Sequence, residues 1–242
     1  MDTSSPPWAP NLIKISQNAK NSDLFYQYYD TDKGKDYYPK AALKELRKIL
    51  AEYSVDDFQS NPNWKEWKLE EGFAVWENAN LLELAYEVDA PSTVMRGLIA
   101  RGFSPNDYNE ARRWTLMGKA VSAENLKMAS LFINQGFDPS LILHQHLCEE
   151  GDWMAETSLL DRFLLKKRNA KENERTQAIL NLLWKAGQRP STNLPNCVPI
   201  VDKLPAESWV RKDMLMRQAL EQKQELHKDT QVKKLGARRP RL

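Results

Sequence analysis

The chain is short of the residues and motifs from which most active sites are built. It has only three histidines and two cysteines in 242 residues. Cys148 and Cys197 follow no framework spacing, so reduced thiols are the default reading. Gly118-Lys119 has no glycine loop upstream of it, and Gly-x-Gly-x-x-Gly, Gly-x-Ser-x-Gly and His-Glu-x-x-His do not occur. This argues against nucleotide binding, an esterase-type nucleophile and a zinc-protease helix. No apolar run approaches the roughly 18 residues of a spanning helix, so no membrane class is indicated. The start, Met1-Asp2-Thr3-Ser4-Ser5-Pro6-Pro7, has neither the basic opening nor the apolar middle of a secretory signal. A cytoplasmic location is therefore expected, with secretion without a cleavable leader left open.

What is present is a repeat. Val94-Met95-Arg96-Gly97-Leu98-Ile99-Ala100-Arg101-Gly102-Phe103-Ser104-Pro105-Asn106 is written again at Met128 to Ser140. Gly102 and Gly136, Phe103 and Phe137, and Pro105 and Pro139 are each 34 positions apart. A fixed period in the range of about 20 to 50 residues points to stacked units rather than to one globular core. Within a unit, Val94/Met95 and Leu98/Ile99 recur four positions apart and line one helix face. Ser92 is the expected N-cap of that helix, and Gly102 the residue that ends it in the left-handed conformation. Leu81, Leu82, Leu84 and Ala85 form a shorter helix upstream, and Leu116, Met117 and Ala120 repeat it 35 positions later. The one-residue slip is assigned to the turn at Asp89–Pro91. A third copy runs from Thr157 to Pro190 and carries 17 additional residues, divided between an enlarged finger (Leu141 to Glu156) and a charged loop (Lys166 to Arg175).

A short helix, a tight turn, a longer helix ending in glycine and then an Asp/Ser-Pro-Asn/Ser turn resembles the ankyrin repeat. Asn80-Leu81-Leu82-Glu83-Leu84-Ala85 and Thr115-Leu116-Met117-Gly118-Lys119-Ala120 occupy its opening motif without the motif's Pro or His. The resemblance implies an all-α helical-repeat solenoid with about three repeats between Trp76 and Pro190, closed by N- and C-terminal helical caps. The chain is thus divided into a tail and capping helices at 1–55, ankyrin-like repeats at 56–190, a connector and capping helix at 191–227, and a basic disordered tail at 228–242. In the first part, Trp8 is the residue expected to dock, Phe25 to Tyr38 is a Tyr-rich segment, and Ala41 to Tyr53 is an amphipathic helix.

The resemblance further implies a protein-binding module rather than an enzyme. No catalytic residue, metal or cofactor is assigned. His144-x-His146-x-Cys148 is the one metal-like spacing, since alternate residues of an extended finger share a side and imidazole with thiolate suits zinc. It lacks further ligands, and a helical reading of 141–147 would scatter the three. Candidate partner contacts are the finger residues that helix stacking leaves unused: Asp107, Tyr108, Asn109, Arg112, Arg113 and Trp114, then His144, Glu149, Asp152 and Trp153, with Trp64 and Trp67 ahead of them. Asp56 to Asp89 holds nine acids against two lysines, a local acidic patch. The expected function is binding of one specific protein by a chain that is monomeric before it meets its partner, as for an inhibitor, an immunity protein or a secreted effector. The alternative is nucleic-acid association through the basic tail.

Overall fold

The apolar stripes become helices in the computed structural model, which describes residues 5–21, 37–69, 76–109, 111, 114–137, 142–146, 154–167, 173–189 and 200–236. The fold is mostly helical, with two small antiparallel hairpins. The chain divides into two compact units, Met1–Asp138 and Pro139–Leu242. The Tyr-rich segment from Phe25 to Tyr29, both cysteines and residues 168–172 of the charged loop lie outside the described residues.

The first unit begins with α1 (Ala9–Asn21) packed on α2 (Tyr37–Glu52), and α2 in turn packs on the first repeated pair, α5 (Leu81–Glu87) and α6 (Ser92–Ala100). Pro39 is tolerated in α2 because it falls in the first turn, where an amide N–H would have no helical partner. Two short helices, α3 (Val55–Ser60) and α4 (Asn63–Glu66), precede the pair. A second pair, α7 (Leu116–Ser122) and α8 (Leu126–Asn134), follows the hairpin of β1 (Tyr108–Asn109) and β2 (Trp114–Thr115). Four residues separate α5 from α6 and three separate α7 from α8, so the slip in period lies at Val88–Pro91. Leu46, Ile49, Phe58, Leu84, Met95, Leu98, Phe103 and Phe132 are buried, and Trp8 docks among them at 2% exposure.

How the helices end explains how they turn. After α6, the N–H of Gly102 reaches the Ile99 carbonyl and that of Phe103 reaches Leu98, the paired bonds that close a helix over a left-handed residue. The same two bonds recur at Gly136/Phe137 and at Gly187/Gln188, with φ of +96°, +105° and +87° at the three glycines. The shorter helices use the same closure without glycine: Asp89 and Glu124 take φ of +49° and +53°. The helix starts are also paired. Asn80 with Glu83 and Ser158 with Asp161 form reciprocal caps, and Thr115 accepts from the Gly118 N–H. Ser92 is not an N-cap; Pro91 takes that place with no side-chain bond, and Ser92 is the first helical residue. Proline at this position fixes the entry angle without needing a hydroxyl.

One side chain ties α2 to α6. The Arg101 guanidinium donates to the Leu50 carbonyl at 2.7 Å and to the Tyr53 carbonyl at 2.7 and 2.9 Å, besides the Gly97 carbonyl of its own helix at 2.9 Å. It supplies donors to the last turn of α2, which ends at Tyr53-Ser54 without glycine. Burial pulls the Arg101 pKa below its ordinary value, Asp57 opposing, and the group stays cationic. The helices approach closely beside it, because a β-carbon on Gly97 would lie 3.1 Å from Leu50.

In the second unit β3 (Ile142–His146) pairs with β4 (Met154–Ser158), which leads into α9 (Leu159–Lys167) and α10 (Glu174–Lys185). Relative to α7, α9 starts 43 positions on, whereas the end of α10 falls 51 after that of α8, so the additional residues are split almost equally before and after the start of α9. A short α11 (Ile200–Lys203) precedes α12 (Trp209–Gly236). Arg189 stacks on Trp184 at 4.3 Å and grips Glu221 through two bonds of 3.1 and 2.6 Å, holding α12 to the end of α10. Val210 and Met214 are buried, whereas Leu215, Met216, Leu220 and Leu226 are exposed. The sequence ends this helix near His227 and makes the rest a disordered tail, but the helix continues to Gly236. The residues from Lys228 to Leu235 are mostly good helix formers with no proline or glycine among them, so nothing stops propagation before Gly236.

The left-handed positions give a paired prediction. Gly136→Val should lower stability by about 1 kcal/mol or more, since a side chain there has open space and only the backbone conformation is penalised. Glu124→Gly should do the reverse and raise it by about 0.5–1 kcal/mol. Urea unfolding midpoints of both variants check the signs.

Candidate functional site

Tyr108 and Asn109 are neighbours on β1 and point opposite ways, as strand geometry requires. Asn109 is 3% exposed and Tyr108 is 45% exposed. The inward residue is a latch. The Asn109 Nδ2 donates to both oxygens of Glu83, at 3.0 and 2.9 Å, and to the Asn78 carbonyl at 2.8 Å. Glu83 is itself buried and accepts from the Asn80 N–H at 2.9 Å, so the cap of α5 and the hairpin share one carboxylate. A buried carboxylate is tolerable here because hydrogen bonds reach both of its oxygens.

Beside this latch is a cleft of about 230 Å³ lined by Lys65, Glu66, Lys68, Asn80, Glu83, Asp107, Tyr108 and Asn109. Asp107 keeps an exposed outer edge, yet the protein packed around its carboxyl raises its pKa above the ordinary carboxylate value. The Ser104 backbone and the charges of Lys65 and Lys68 oppose that rise. Nothing in the arrangement pairs a nucleophile with a base. Among the described residues no group of His, Cys, Asp and Glu is placed to hold a metal ion, and no helix is long and apolar enough to cross a membrane.

Of the sequence-predicted contacts, Asp107 and Tyr108 come together at the cleft. Asn109 joins them but does the opposite of what was expected of a finger residue, since it is a buried structural link. Trp64 is removed from the list: it is 8% exposed and held edge-on to Tyr53 and Phe58, both at 5.4 Å. Its large apolar area is covered by Tyr53 and by Phe58 of α3 and is not presented to a partner. Trp67 is half-buried with Trp8 against it at 4.8 Å. Trp114 is half-buried, and its ring is covered by the chain's own Lys119, whose ammonium lies 4.9 Å from the ring centre, 5.6 Å from that of Tyr86 and in an ion pair with Glu87. His144 lies on β3, so the stretch from Ile142 to His146 is extended rather than helical. Arg112, Arg113, Glu149, Asp152 and Trp153 lie outside the described residues.

Lys65, Lys68, Asn80 and Glu83 were missed as site residues. The Asn80-x-x-Glu83 spacing of a reciprocal cap was visible and marks the floor of the cleft. No signal in the sequence places Lys65 and Lys68 beside the hairpin. Comparison with known proteins gives no match: no family model, no curated protein and no solved structure is significantly similar to the chain.

Two outcomes follow. Asn109→Ala should cost about 1–3 kcal/mol, because it removes a donor from a buried carboxylate, and a urea midpoint measures it. Asp107→Asn should raise the midpoint at neutral pH. The folded state binds the Asp107 proton more tightly than the unfolded chain, so charging the carboxyl disfavours folding, and the gain must shrink as pH falls through that pKa. A gain that grows in acid would contradict burial as the cause.

Proposed function

We propose that this chain is a non-enzymatic protein-interaction module of the ankyrin-repeat type, which binds one specific protein partner through the surface formed by its first hairpin and the helix start beside it. An inhibitor that holds a partner inactive, such as an immunity protein, or a delivered effector fits this reading. The observation that carries it is Tyr108: an exposed aromatic on a hairpin that Asn109 locks to the preceding helix pair, at the rim of a cleft. Aromatic side chains on rigid supports are the groups that most often supply interface energy, because little freedom is lost when they are covered. The recurrence of helix pair, left-handed closure and hairpin supports the ankyrin-type assignment.

The test is capture of the native partner by the tagged full chain, followed by Tyr108→Ala and Tyr108→Ala/Arg113→Ala variants checked for unchanged melting. Each truncation should weaken binding by about 1–3 kcal/mol, roughly five- to 150-fold. Undiminished capture by the double variant would move the recognition surface away from this hairpin.

A further inference from the structure

We propose that the cleft beside the first hairpin receives one basic side chain of the partner protein, the guanidinium of an arginine, with Asp107 as its counter-ion and the Tyr108 ring against its face. This rests on the protein-interaction reading above and names the chemistry of the group that enters the site.

Size comes first. About 230 Å³ is below the roughly 300–1,000 Å³ of sites that enclose cofactors and drug-sized molecules, and it suits a single side chain. Charge selects which. The charged groups facing the cleft are Lys65, Glu66, Lys68, Glu83 and Asp107. Lys65 is already engaged: its side chain crosses the end of α6, where a β-carbon on Gly102 would lie 3.1 Å from Cδ and 3.4 Å from Nζ. Its ammonium therefore sits at the C-terminal end of a helix, the end that favours a cation. Glu83 is taken up by Asn80 and Asn109, which leaves Lys68 against Glu66 and Asp107, beside a stretch from Asp56 to Asp89 whose only cations are these two lysines. Among the described residues no ion pair holds Asp107 or Glu66, although the charges of Lys65 and Lys68 act on Asp107 from a distance. An incoming cation is attracted by the regional field and by the local excess of acid.

The raised proton affinity of Asp107 fits the same picture, because burial there outweighs the Ser104 backbone bond and the charges of Lys65 and Lys68, and a cation in direct contact relieves it. Arginine is favoured over lysine by its two neighbours. A planar guanidinium bonds a carboxylate through two parallel N–H groups and stacks on an aromatic ring, whereas an ammonium does neither as well. Tyr108 presents that ring from the residue next to Asp107.

The experiment uses the full chain labelled with nitrogen-15 and two probes, N-acetyl-arginine methylamide and N-acetyl-glutamate methylamide, followed by amide chemical shifts. The arginine probe should give saturable shifts at residues 65–68, 80–83 and 107–109, with an affinity of about 1–10 mM, the range one side chain supplies. Asp107→Asn should weaken it about fivefold with the remaining spectrum unchanged. The proposal is overturned if the arginine probe produces no localised shifts, if Asp107→Asn binds it equally well, or if the glutamate probe saturates the same amides, which would make the lysines the recognising groups. The two failures are separable. Absence of an arginine response overturns this inference whatever the capture experiment gives, while capture undiminished in the Tyr108 variants overturns the placement of the interface.

Discussion

A helix that stops must give its last carbonyl groups new partners, and the way this chain does so sets its architecture. Helices of seven to twelve residues cannot simply end in a packed interior with their last carbonyls unpaired. Here a residue of positive φ folds the following N–H groups back onto the last carbonyls, at Asp89, Gly102, Glu124, Gly136 and Gly187. At Asp89 and Glu124 the closure also reverses the chain, so α6 lies against α5 and α8 against α7. Phe103 and Phe137, the residues after two of the glycines, are carried into the core by the closures there. The repeated helix pairs follow from repeated closures, and the apolar stripes then find one another.

The parts legible in the sequence were those that depend on local chemistry. The 34-residue period, the helix stripes and the three glycines required only spacing and conformational preference. Asp89 and Glu124 were not legible as left-handed positions, because aspartate visits that conformation only occasionally and glutamate rarely, and it is the closing bonds of the helices that hold them there. Trp64 was misread for a related reason. An aromatic between Asn-Pro-Asn and acidic residues has the local look of an exposed loop, while its burial depends on Tyr53 and Phe58 arriving from elsewhere. The end of α12 was misread in the other direction: basic composition suggested disorder, whereas helix propensity without a breaker carried the helix to Gly236.

The cleft shows why sites are harder to read than elements. Asp107 and Tyr108 were found by asking which hairpin residues helix packing leaves unused. The rest of the lining comes from Lys65, Glu66, Lys68, Asn80 and Glu83, of which Glu83 is tied to the hairpin by Asn109, and none is its sequence neighbour. A carboxylate shared between a helix cap and a hairpin is a link between two levels of structure. Neither spacing nor composition records it.

The guanidinium of Arg101 has a consequence for how the first unit moves. Its bonds to the Leu50 and Tyr53 carbonyls make the last turn of α2 depend on the last turn of α6, 50 residues further along the chain. Ordinary helix ends fray independently on fast timescales, because each loses only its own terminal bonds. These two cannot: releasing one leaves a half-buried cation and the Leu50 and Tyr53 carbonyls without their bonds together. Their amides should therefore open as a single cooperative event, so the segment joining them, with α3, α4 and the wall of the cleft formed by Lys65 and Lys68, is anchored at both ends by the same side chain.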